Sequence, residues 1–267
     1  MERSSPRPGS APSLRTLFLS DLHLGALGGR PDRLLDFLID NPAETYILVG
    51  DVLDLWQPLL PHWSRADQAV IDHLRARATE GAQLVYLVGN HDPDPKRAPE
   101  ARSLPVDPIT DMIHEAADGR RYLVLHGDVV DSRLVRAHVF TRMGSRIDHC
   151  LRRIDHGLRW LRGQTRDDVR STIECLLSSL NSFLYSRRIH ERQLVGMARV
   201  RGLDGVICGH FHIASLQEDH GLIYANCGDW VDSFSAIGER HDGSLSLLLH
   251  GAEAEILPQP ATLGEAL

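Results

Sequence analysis

Short apolar runs recur along the chain, and each run ends in polar residues that can carry chemistry. Runs of this kind, apolar on both faces and rich in Val, Leu, Ile and Tyr, are typical of buried strands. The clearest runs span 16–20, 45–49, 83–88, 121–125 and 205–208, and further strand patterns span 221–227 and 244–250. Apolar residues recur at helical spacing within 33–39 and 66–78. Strands that alternate with helices in this way predict an α/β fold.

The segment 133–200 has a different pattern. Two amphipathic helical repeats flank the polar stretch 163–168, so an inserted helical hairpin is predicted between two core strands. We divide the rest of the chain into a disordered tail (1–12), a main domain (13–255) that contains the insertion, and a C-terminal tail (256–267).

Charge separates this insertion from the body of the protein. Between Arg133 and Arg201 there are fifteen arginines, six acids and no lysine, so this stretch carries +9 while the total is −7. A basic insertion on an acidic body predicts an anionic partner. Two interpretations stay open: a packed hairpin with a solvated basic face, or a lid with an apolar lining whose arginines bind phosphates or an anionic membrane. Arg133 and Arg136 are the candidate substrate contacts.

Composition narrows the class of protein. Hydrophobic residues make up 42% and charged residues 24% of the chain, which is ordinary for a globular protein. The sequence has no apolar run long enough to span a bilayer and no secretory signal at its start. The four cysteines form no CxxC pair, which favours reduced thiols and a cytoplasmic location.

Candidate chemistry collects where the predicted strands end. In α/β sheets, the carboxyl ends of strands are where sites are built. The groups are Asp21-x-His23, Gly50-Asp51-x-x-Asp54, Gly89-Asn90-His91-Asp92, His126 and Gly209-His210-x-His212. Each group alone is weak, and GDxxD or GNHD could simply form turns. Five groups in sequence, with carboxylate, imidazole and amide ligands but no thiolate, indicate two divalent ions of the kind that serves phosphoryl chemistry.

This order of motifs resembles the calcineurin-like metallophosphoesterases over roughly residues 15–250. The resemblance implies a four-layer sandwich of two mixed β-sheets flanked by helices, with a dimetal site at one sheet edge. It also implies two divalent ions, most simply Mn²⁺, with Fe or Zn²⁺ as alternatives. One ion would be held by Asp21, His23 and His212, the other by Asn90, His126 and His210, with Asp51 bridging both. Asn90 and His91 would contact the substrate phosphate, His91 would protonate the leaving oxygen, and Asp54 would orient His91.

Within this family, residues 204–214 and 224–233 and the helical insertion resemble a bacterial branch that contains the UDP-2,3-diacylglucosamine hydrolases. That resemblance implies a lipid-linked nucleotide substrate, cleaved to UMP and a diacylglucosamine 1-phosphate on the cytoplasmic membrane face. The hydrolases themselves carry Arg where this chain has His91, so a paralogue acting on another phosphomonoester or phosphodiester, including a nuclease, remains an alternative. A non-catalytic scaffold is the weaker alternative because all seven ligand positions are filled. No specific nucleic-acid partner is expected, since the basic segment has few aromatic residues. The oligomeric state is left open.

Overall fold

The structure is a computed structural model of the 267-residue chain, and it describes residues 14–26, 28–54, 63–92, 102–130, 189–219, 221–252 and 255–256. Most of the secondary structure in these residues is β-strand. The strands are β1 (Leu14–Leu19), β2 (Ala43–Val49), β3 (Gln83–Leu87), β4 (Asp111–Glu115), β5 (Arg121–Leu125), β6 (Gly205–Cys208), β7 (Ser215–Asp219), β8 (Leu222–Asn226), β9 (Ser235–Glu239), β10 (Leu245–Leu249) and β11 (Glu255–Ile256). The helices are α1 (Pro31–Asp40), α2 (Arg65–Thr79) and α3 (Ile189–Val200), with a 3₁₀ turn at Asp128–Val130.

These strands form two mixed sheets. The first sheet has the order β11-β10-β9-β1-β2-β3, and the second has the order β4-β5-β6-β8-β7. Each sheet has a parallel centre: β1, β2 and β3 run parallel in the first, and β5, β6 and β8 run parallel in the second. Antiparallel strands lie on one side of the parallel centre in the first sheet, where β3 forms the other edge, and on both sides in the second. The predicted class, an α/β sandwich of two mixed sheets, is confirmed.

Three apolar clusters hold the layers together. Leu17 and Leu19 of β1 pack with helices α1 and α2, whereas Phe18 between them faces the core shared by the two sheets. In the second sheet, Val124 faces that shared core and Leu123 packs with α3 on the outer side. Central strands that bury both faces explain why the sequence shows continuous apolar runs instead of alternation. The layer order is helices, sheet, sheet, helix.

Local signals position the first two helices. Pro31 begins α1, where its fixed φ suits the first turn, and Leu34 and Phe37 face the core. In α2, Ser64 and Asp67 form a capping box in which each side chain accepts a hydrogen bond from the other's backbone N–H. The predictions of helices over 33–39 and 66–78 therefore agree with the structure. None of the helices in the described residues combines the length and apolar character needed to cross a membrane.

The end of the predicted insertion belongs to the sandwich. Residues 189–200 form α3, which contacts β6 and β8 and buries Leu194 and Ala198 completely. The rest of the predicted hairpin, including Arg133 and Arg136, lies outside the described residues, as do the tail 1–12 and most of the tail 256–267. Ile256, placed in that C-terminal tail from the sequence, ends β11.

The sequence patterns miss four strands: β4, β7, β9 and the two-residue β11. Strands β4 and β7 lie at the edges of the second sheet. In β4 only His114 is buried, and most of the other residues are exposed. Strand β9 has the small and polar sequence SAIGE yet is buried throughout. The sequences of β4, β7 and β9 therefore lack the apolar run that identifies a central strand.

A buried carboxylate links the two sheets at the edge where β1 begins. Glu239 of β9 has no solvent exposure, and its Oε2 lies 2.8 Å from Nε2 of His114 in the other sheet. Its Oε1 accepts a hydrogen bond from the backbone N–H of Ala117 at 2.9 Å and pairs with Arg15. Burial would raise the pKa of Glu239, but the hydrogen bonds from His114 and its other partners outweigh burial and lower this pKa to about 2.

We expect Glu239→Gln to lower the free energy of unfolding by about 3 kcal/mol, because it removes one charge from a buried pair. An unfolded Glu titrates near 4.5, whereas the folded Glu239 stays ionised down to about pH 2. Its stabilisation is therefore complete above pH 4.5 and is lost as the pH falls towards 2. Urea unfolding of metal-free protein at pH 7 and pH 3 should show the difference between variant and wild type shrinking at the lower pH. Glu218→Gln, at an exposed position of edge strand β7, is the control. An equal loss in both variants would contradict the role of the buried pair.

Candidate metal centre

Five parallel strands deliver the predicted site residues to one edge of the sandwich. In the first sheet, Asp21 follows β1, Asp51 follows β2 and Asn90 follows β3. In the second sheet, His126 follows β5 and His210 follows β6. Since both parallel centres end at this edge, the carboxylates of one sheet face imidazoles of the other across the seam.

One group of side chains gathers around Asp21. Oδ1 of Asp21 lies 3.2 Å from Nε2 of His212 and 3.8 Å from Nε2 of His23. The two imidazoles approach each other at 3.5 Å through the same Nε2 atoms. Oδ2 of Asp21 accepts a hydrogen bond from the backbone N–H of His210 at 2.8 Å, which ties the two sheets together. The predicted ligands of the first ion therefore lie together.

A second group gathers around Asp51. Its Oδ2 lies 3.2 Å from Nε2 of His126, and the same Nε2 lies 3.2 Å from Oδ1 of Asn90. Asp51, His126 and His210 each offer an atom within 4.8 Å of the others. Asp51 also belongs to a group with His23 and His91, so it is the carboxylate shared between neighbouring clusters.

His91 and Asp54 lie beside the two groups. Nδ1 of His91 is 3.5 Å from Oδ2 of Asp54, and Nδ1 of His23 is 3.6 Å from the same oxygen. The rings of His23 and His91 meet edge to face with centroids 5.0 Å apart. Asp54 therefore contacts a predicted ligand as well as the predicted acid, a double contact that the sequence reasoning did not anticipate.

The backbone adopts an unusual conformation at the candidate ligands. Among the described residues, six non-glycine residues have positive φ, and five of them are predicted ligands. Those five are Asp21, His23, Asp51, His210 and His212. Positive φ is costly for such residues and collects at functional sites. This backbone conformation lets Asp21 and His23 turn towards the same group of ligands, whereas His212 joins that group and His210 joins the group around Asp51.

Motif glycines leave room for these side chains. A Cβ on Gly209 would lie 1.6 Å from Oγ of Ser20 and 2.6 Å from Oδ2 of Asp21. A Cβ on Gly89 would lie 2.2 Å from Oδ1 of Asp51, and one on Gly50 would lie 2.4 Å from Nδ1 of His126. The predicted role of these glycines, close approach of the backbone to the site, agrees with this packing.

Electrostatics favour ionised carboxylates here despite their burial. Asp21 and Asp51 are 0% and 1% exposed. Burial alone would raise the pKa of Asp21, but His212 outweighs burial and lowers this pKa below its usual range. The pKa of Asp51 is likewise lowered, by His126 above all, against the effect of burial. Burial opposes a charge on His126, yet Asp51 raises the pKa of this imidazole to about 10.

Two carboxylates of the site had no role in the sequence reasoning. Asp92 accepts hydrogen bonds from the backbone N–H groups of Asp51, Leu53 and Gly89 and from the Tyr86 hydroxyl, at 2.6–2.9 Å. It therefore fixes the loop that carries Asp51.

Asp229 lies three residues after β8, and its Oδ2 is 2.8 Å from Nδ1 of His212. The signal that located the other groups, an acid just beyond a buried strand, also applies to Asp229.

A comparison with family models identifies the protein's relatives. The model described as calcineurin-like phosphoesterase matches residues 14–214, which is most of the described sandwich. The chain belongs to the calcineurin-like phosphoesterase family. It is accordingly a metal-dependent hydrolase of phosphoester bonds. A search of curated proteins found no match.

Solved structures with the same overall arrangement share little sequence with this calcineurin-like phosphoesterase. The phosphoesterase Yfce from E. coli is 14% identical, with a TM-score of 0.49, over 91% of this chain and 96% of that one. A dimetal phosphatase from Danio rerio is 12% identical, with a TM-score of 0.45, over 92% and 99%. Vps29 from Entamoeba histolytica complexed with Zn²⁺ is 14% identical, with a TM-score of 0.42, over 91% and 97%. These likenesses are low, and the family assignment rests on the family model.

Family membership implies a centre of two divalent ions, and the residues present fit such a centre. Oδ1 of Asp21 is buried and accepts no hydrogen bond from any described residue, although two imidazole Nε2 atoms surround it. A buried anionic oxygen without a donor is costly unless a cation balances it. The three His/Asp groups supply hard and borderline donors without a thiolate, which suits Mn²⁺, Fe or Zn²⁺. Asp21, His23 and His212 would hold one ion, and Asn90, His126 and His210 the other. Asp51 shares a group with His23 and another with His126 and His210, so it would serve both ions.

We expect Asp51→Asn to lose both metals and nearly all activity, because Asp51 belongs to two of the three ligand groups, one with His23 and one with His126 and His210. His23→Ala should weaken mainly one site, and excess Mn²⁺ should restore part of its activity. Elemental analysis of purified protein, with phosphodiesterase assays across Mn²⁺ concentrations, measures both effects. An Asp51→Asn protein that keeps two metals per chain and most of its activity would rule out the bridging role.

Proposed function

We propose that this phosphoesterase hydrolyses the pyrophosphate bond of a lipid-linked nucleotide diphosphate, with UDP-2,3-diacylglucosamine as the favoured substrate. The products would be UMP and the sugar-lipid 1-phosphate. The hydrolytic step is supported by the convergence of seven candidate ligands with His91 and Asp54 at one sheet edge. The substrate class is supported by the resemblance of residues 204–214 and 224–233 to the lipid-nucleotide hydrolases, and by where the segment 131–188 joins the body.

The ends of that segment support a role beside the substrate. The chain leaves the described body at Val130, directly after the 3₁₀ turn that follows His126, and re-enters it at α3. Near the start of α3, the ring of His190 stacks on Phe211, with centroids 5.2 Å apart. Phe211 lies between the candidate ligands His210 and His212. Both ends of the segment therefore lie next to the candidate centre, a position suited to a lid over an acyl chain.

The charge of the segment supports an anionic partner. Arg133 and Arg136 follow the 3₁₀ turn within a few residues, close in sequence to the candidate centre, and are proposed to contact the substrate phosphates. The remaining arginines would hold the protein at an anionic membrane surface on the cytoplasmic side, where a lipid-linked substrate resides. Charge of this kind gives weak association that depends on salt.

The proposed hydrolysis assigns separate roles to the metal ions and to His91. When bound, two divalent ions activate water and stabilise charge on phosphate oxygens. His91 reaches the same edge with 19% of its side chain exposed and its Nδ1 beside Asp54. Burial would lower the pKa of His91, but Asp54 and then Asp51 raise it to about 9, which favours the protonated imidazole at neutral pH. A protonated His91 can bind a phosphate oxygen and protonate the leaving oxygen.

One observation favours a second candidate function. The lipid-nucleotide hydrolases of the related branch carry Arg at the position of His91, and here His91 contacts Asp54 as an acid would. A paralogue that hydrolyses another phosphodiester or phosphomonoester fits this histidine equally well. The substrate comparison below separates the two candidates.

We expect His91→Ala to leave metal content unchanged and to lower kcat by about 10²–10⁴-fold on substrates with poor leaving groups. The loss should be smaller for nitrophenyl esters, whose leaving group needs no proton. Wild-type activity should fall as the pH rises through the raised pKa of His91, because the imidazole then loses the proton that the leaving oxygen needs, and this fall should be absent in the variant. Equal losses on both kinds of ester would leave His91 an electrostatic role only, and lost metal would make it a ligand.

The substrate is tested with Mn²⁺-loaded enzyme on UDP-diacylglucosamine, a non-acylated UDP-sugar, a chromogenic phosphodiester and single-stranded DNA. Asp51→Asn serves as the inactive control for every substrate. We expect the acylated nucleotide to be the best substrate. A preference for DNA or for the simple phosphodiester would favour the second candidate function.

A matched deletion tests the lid. Replacing 131–188 by a short Gly/Ser linker keeps α3, whose Leu194 and Ala198 complete the outer core. Activity on the chromogenic diester should persist, whereas activity on the acylated substrate should fall steeply, since each buried methylene contributes about 0.8 kcal/mol to binding.

In the full chain, changing Phe140 and Ile147 to Ser should reproduce this loss of activity on the acylated substrate. Changing Arg152 and Arg153 to Ala should weaken vesicle binding mainly at low salt. An unchanged ratio of rates on acylated and non-acylated nucleotides would contradict the acyl-chamber proposal.

A further inference from the structure

Asp229 lies behind the candidate ligand His212, on the far side from the metal centre. Its side chain has no solvent exposure, and its Oδ2 is 2.8 Å from Nδ1 of His212. The other ring nitrogen, Nε2, faces the centre, 3.2 Å from Asp21 and 3.5 Å from Nε2 of His23. The imidazole is thus placed between the Asp229 carboxylate and the centre itself.

We propose that Asp229 is a positioning residue that fixes the ring and tautomer of His212, with the proton on Nδ1 and the lone pair of Nε2 available to a metal ion. This inference rests on the proposed metal-dependent function and adds a residue to it. A carboxylate only accepts hydrogen bonds, so the imidazole nitrogen that faces it must carry the proton. Partners of this kind behind a ligating histidine set its tautomer and raise its basicity.

The two oxygens of Asp229 have separate tasks. Oδ1 accepts hydrogen bonds from the backbone N–H groups of Val231, Asp232 and Ser233 at 2.6–3.1 Å, which closes the turn after β8. Oδ2 accepts no hydrogen bond from the backbone of the described residues, and its close contact is Nδ1 of His212 at 2.8 Å. The turn is thus stabilised by one oxygen, while the other is left to face the imidazole.

The turn itself is anchored to the centre. The backbone N–H of Asp229 donates to Oγ of Ser233 at 2.7 Å, and the next residue, Trp230, donates its backbone N–H to the carbonyl of Asp21 at 3.1 Å. Trp230 is fully buried against Phe37 of α1. Asp229 therefore reaches His212 from a loop that is bonded to the strand end carrying Asp21.

The same arrangement occurs at two other candidate ligands. Nδ1 of His126 is 2.9 Å from the carbonyl oxygen of Val49, and Nδ1 of His23 is 3.6 Å from Oδ2 of Asp54. In all three cases an acceptor lies behind Nδ1 while Nε2 faces the centre. His212 has the shortest of these contacts, and its acceptor is charged.

Asp229→Asn separates positioning from loop closure. The amide oxygen can still accept the three backbone hydrogen bonds, but an NH₂ group then faces Nδ1 of His212 and favours the tautomer with the proton on Nε2. We expect Zn²⁺ and Mn²⁺ affinity at one of the two sites to fall by about 10–100-fold, while the other site changes little. Competition titrations with a chromogenic chelator measure both affinities. Nitrogen-15 spectra of histidine-labelled, zinc-loaded protein should lose the metal-bound Nε2 signal of His212.

Two controls keep the test specific. Ser233→Ala removes the hydroxyl that accepts from the N–H of Asp229 and so loosens the same turn without changing the carboxylate. Asp242→Asn makes the same chemical change in a surface turn, where this carboxylate accepts from Ser244. Both controls should keep wild-type affinity at both sites, and thermal unfolding of the metal-free proteins should show that Asp229→Asn is folded.

The outcomes separate this inference from the proposed function. Wild-type affinity and an unchanged His212 spectrum in Asp229→Asn would overturn the positioning role while leaving the dimetal function intact. An equal loss in Ser233→Ala, or unfolding of Asp229→Asn at the assay temperature together with such a loss, would show that the turn matters and not the carboxylate. A wild-type protein that binds no divalent metal would overturn both proposals.

Discussion

The structure depends on keeping two carboxylates charged where the two sheets meet. Asp21 and Asp51 are almost fully buried, and a buried charge is costly unless other charges and hydrogen bonds balance it. The compensation comes from imidazoles of the opposite sheet and from backbone N–H groups such as that of His210. A bound cation would complete this balance at Oδ1 of Asp21. Strained φ angles and glycines that admit no Cβ follow from the need to bring these groups so close.

The two-sheet architecture is therefore a requirement of the site. The first sheet supplies carboxylates, an amide and one imidazole, and the second supplies three imidazoles. Neither sheet could form a complete ligand set, since each predicted ion takes donors from both. The apolar cluster between the sheets, with Phe18, Ile47 and Ile207 among its members, holds the two halves in register. Because Glu239 and His114 join the sheets at the opposite edge, the sandwich is fixed at both ends of its strands.

The sequence predicted the central strands and the residues at their carboxyl ends because both signals are local. An apolar run followed by Gly-Asp or Gly-His carries the strand, the turn and the chemistry within a few residues. The edge strands β4 and β7 were not predicted, because strands that bury little surface need no apolar run. Asp229 carries the same local signal, because it follows the buried strand β8, but its place behind His212 depends on the pairing of β6 with β8, which the sequence does not show. The inclusion of α3 in the insertion has a similar cause, because an amphipathic helix looks the same in a lid and on a sheet.

The groups behind the ligands make the two halves of the centre unequal. His23 and His212 have carboxylates near Nδ1, those of Asp54 and Asp229, whereas His126 has a neutral backbone carbonyl. A carboxylate behind an imidazole raises its basicity more than a carbonyl does, because it stabilises positive charge on the ring. The half around Asp21 thus combines a ligand carboxylate with two supporting ones, while the half around His126 combines the Asp51 carboxylate with the neutral amide of Asn90 and a neutral carbonyl. The first half presents the more negative environment, so the two proposed ions would differ in affinity, even though their histidine ligands are of the same type.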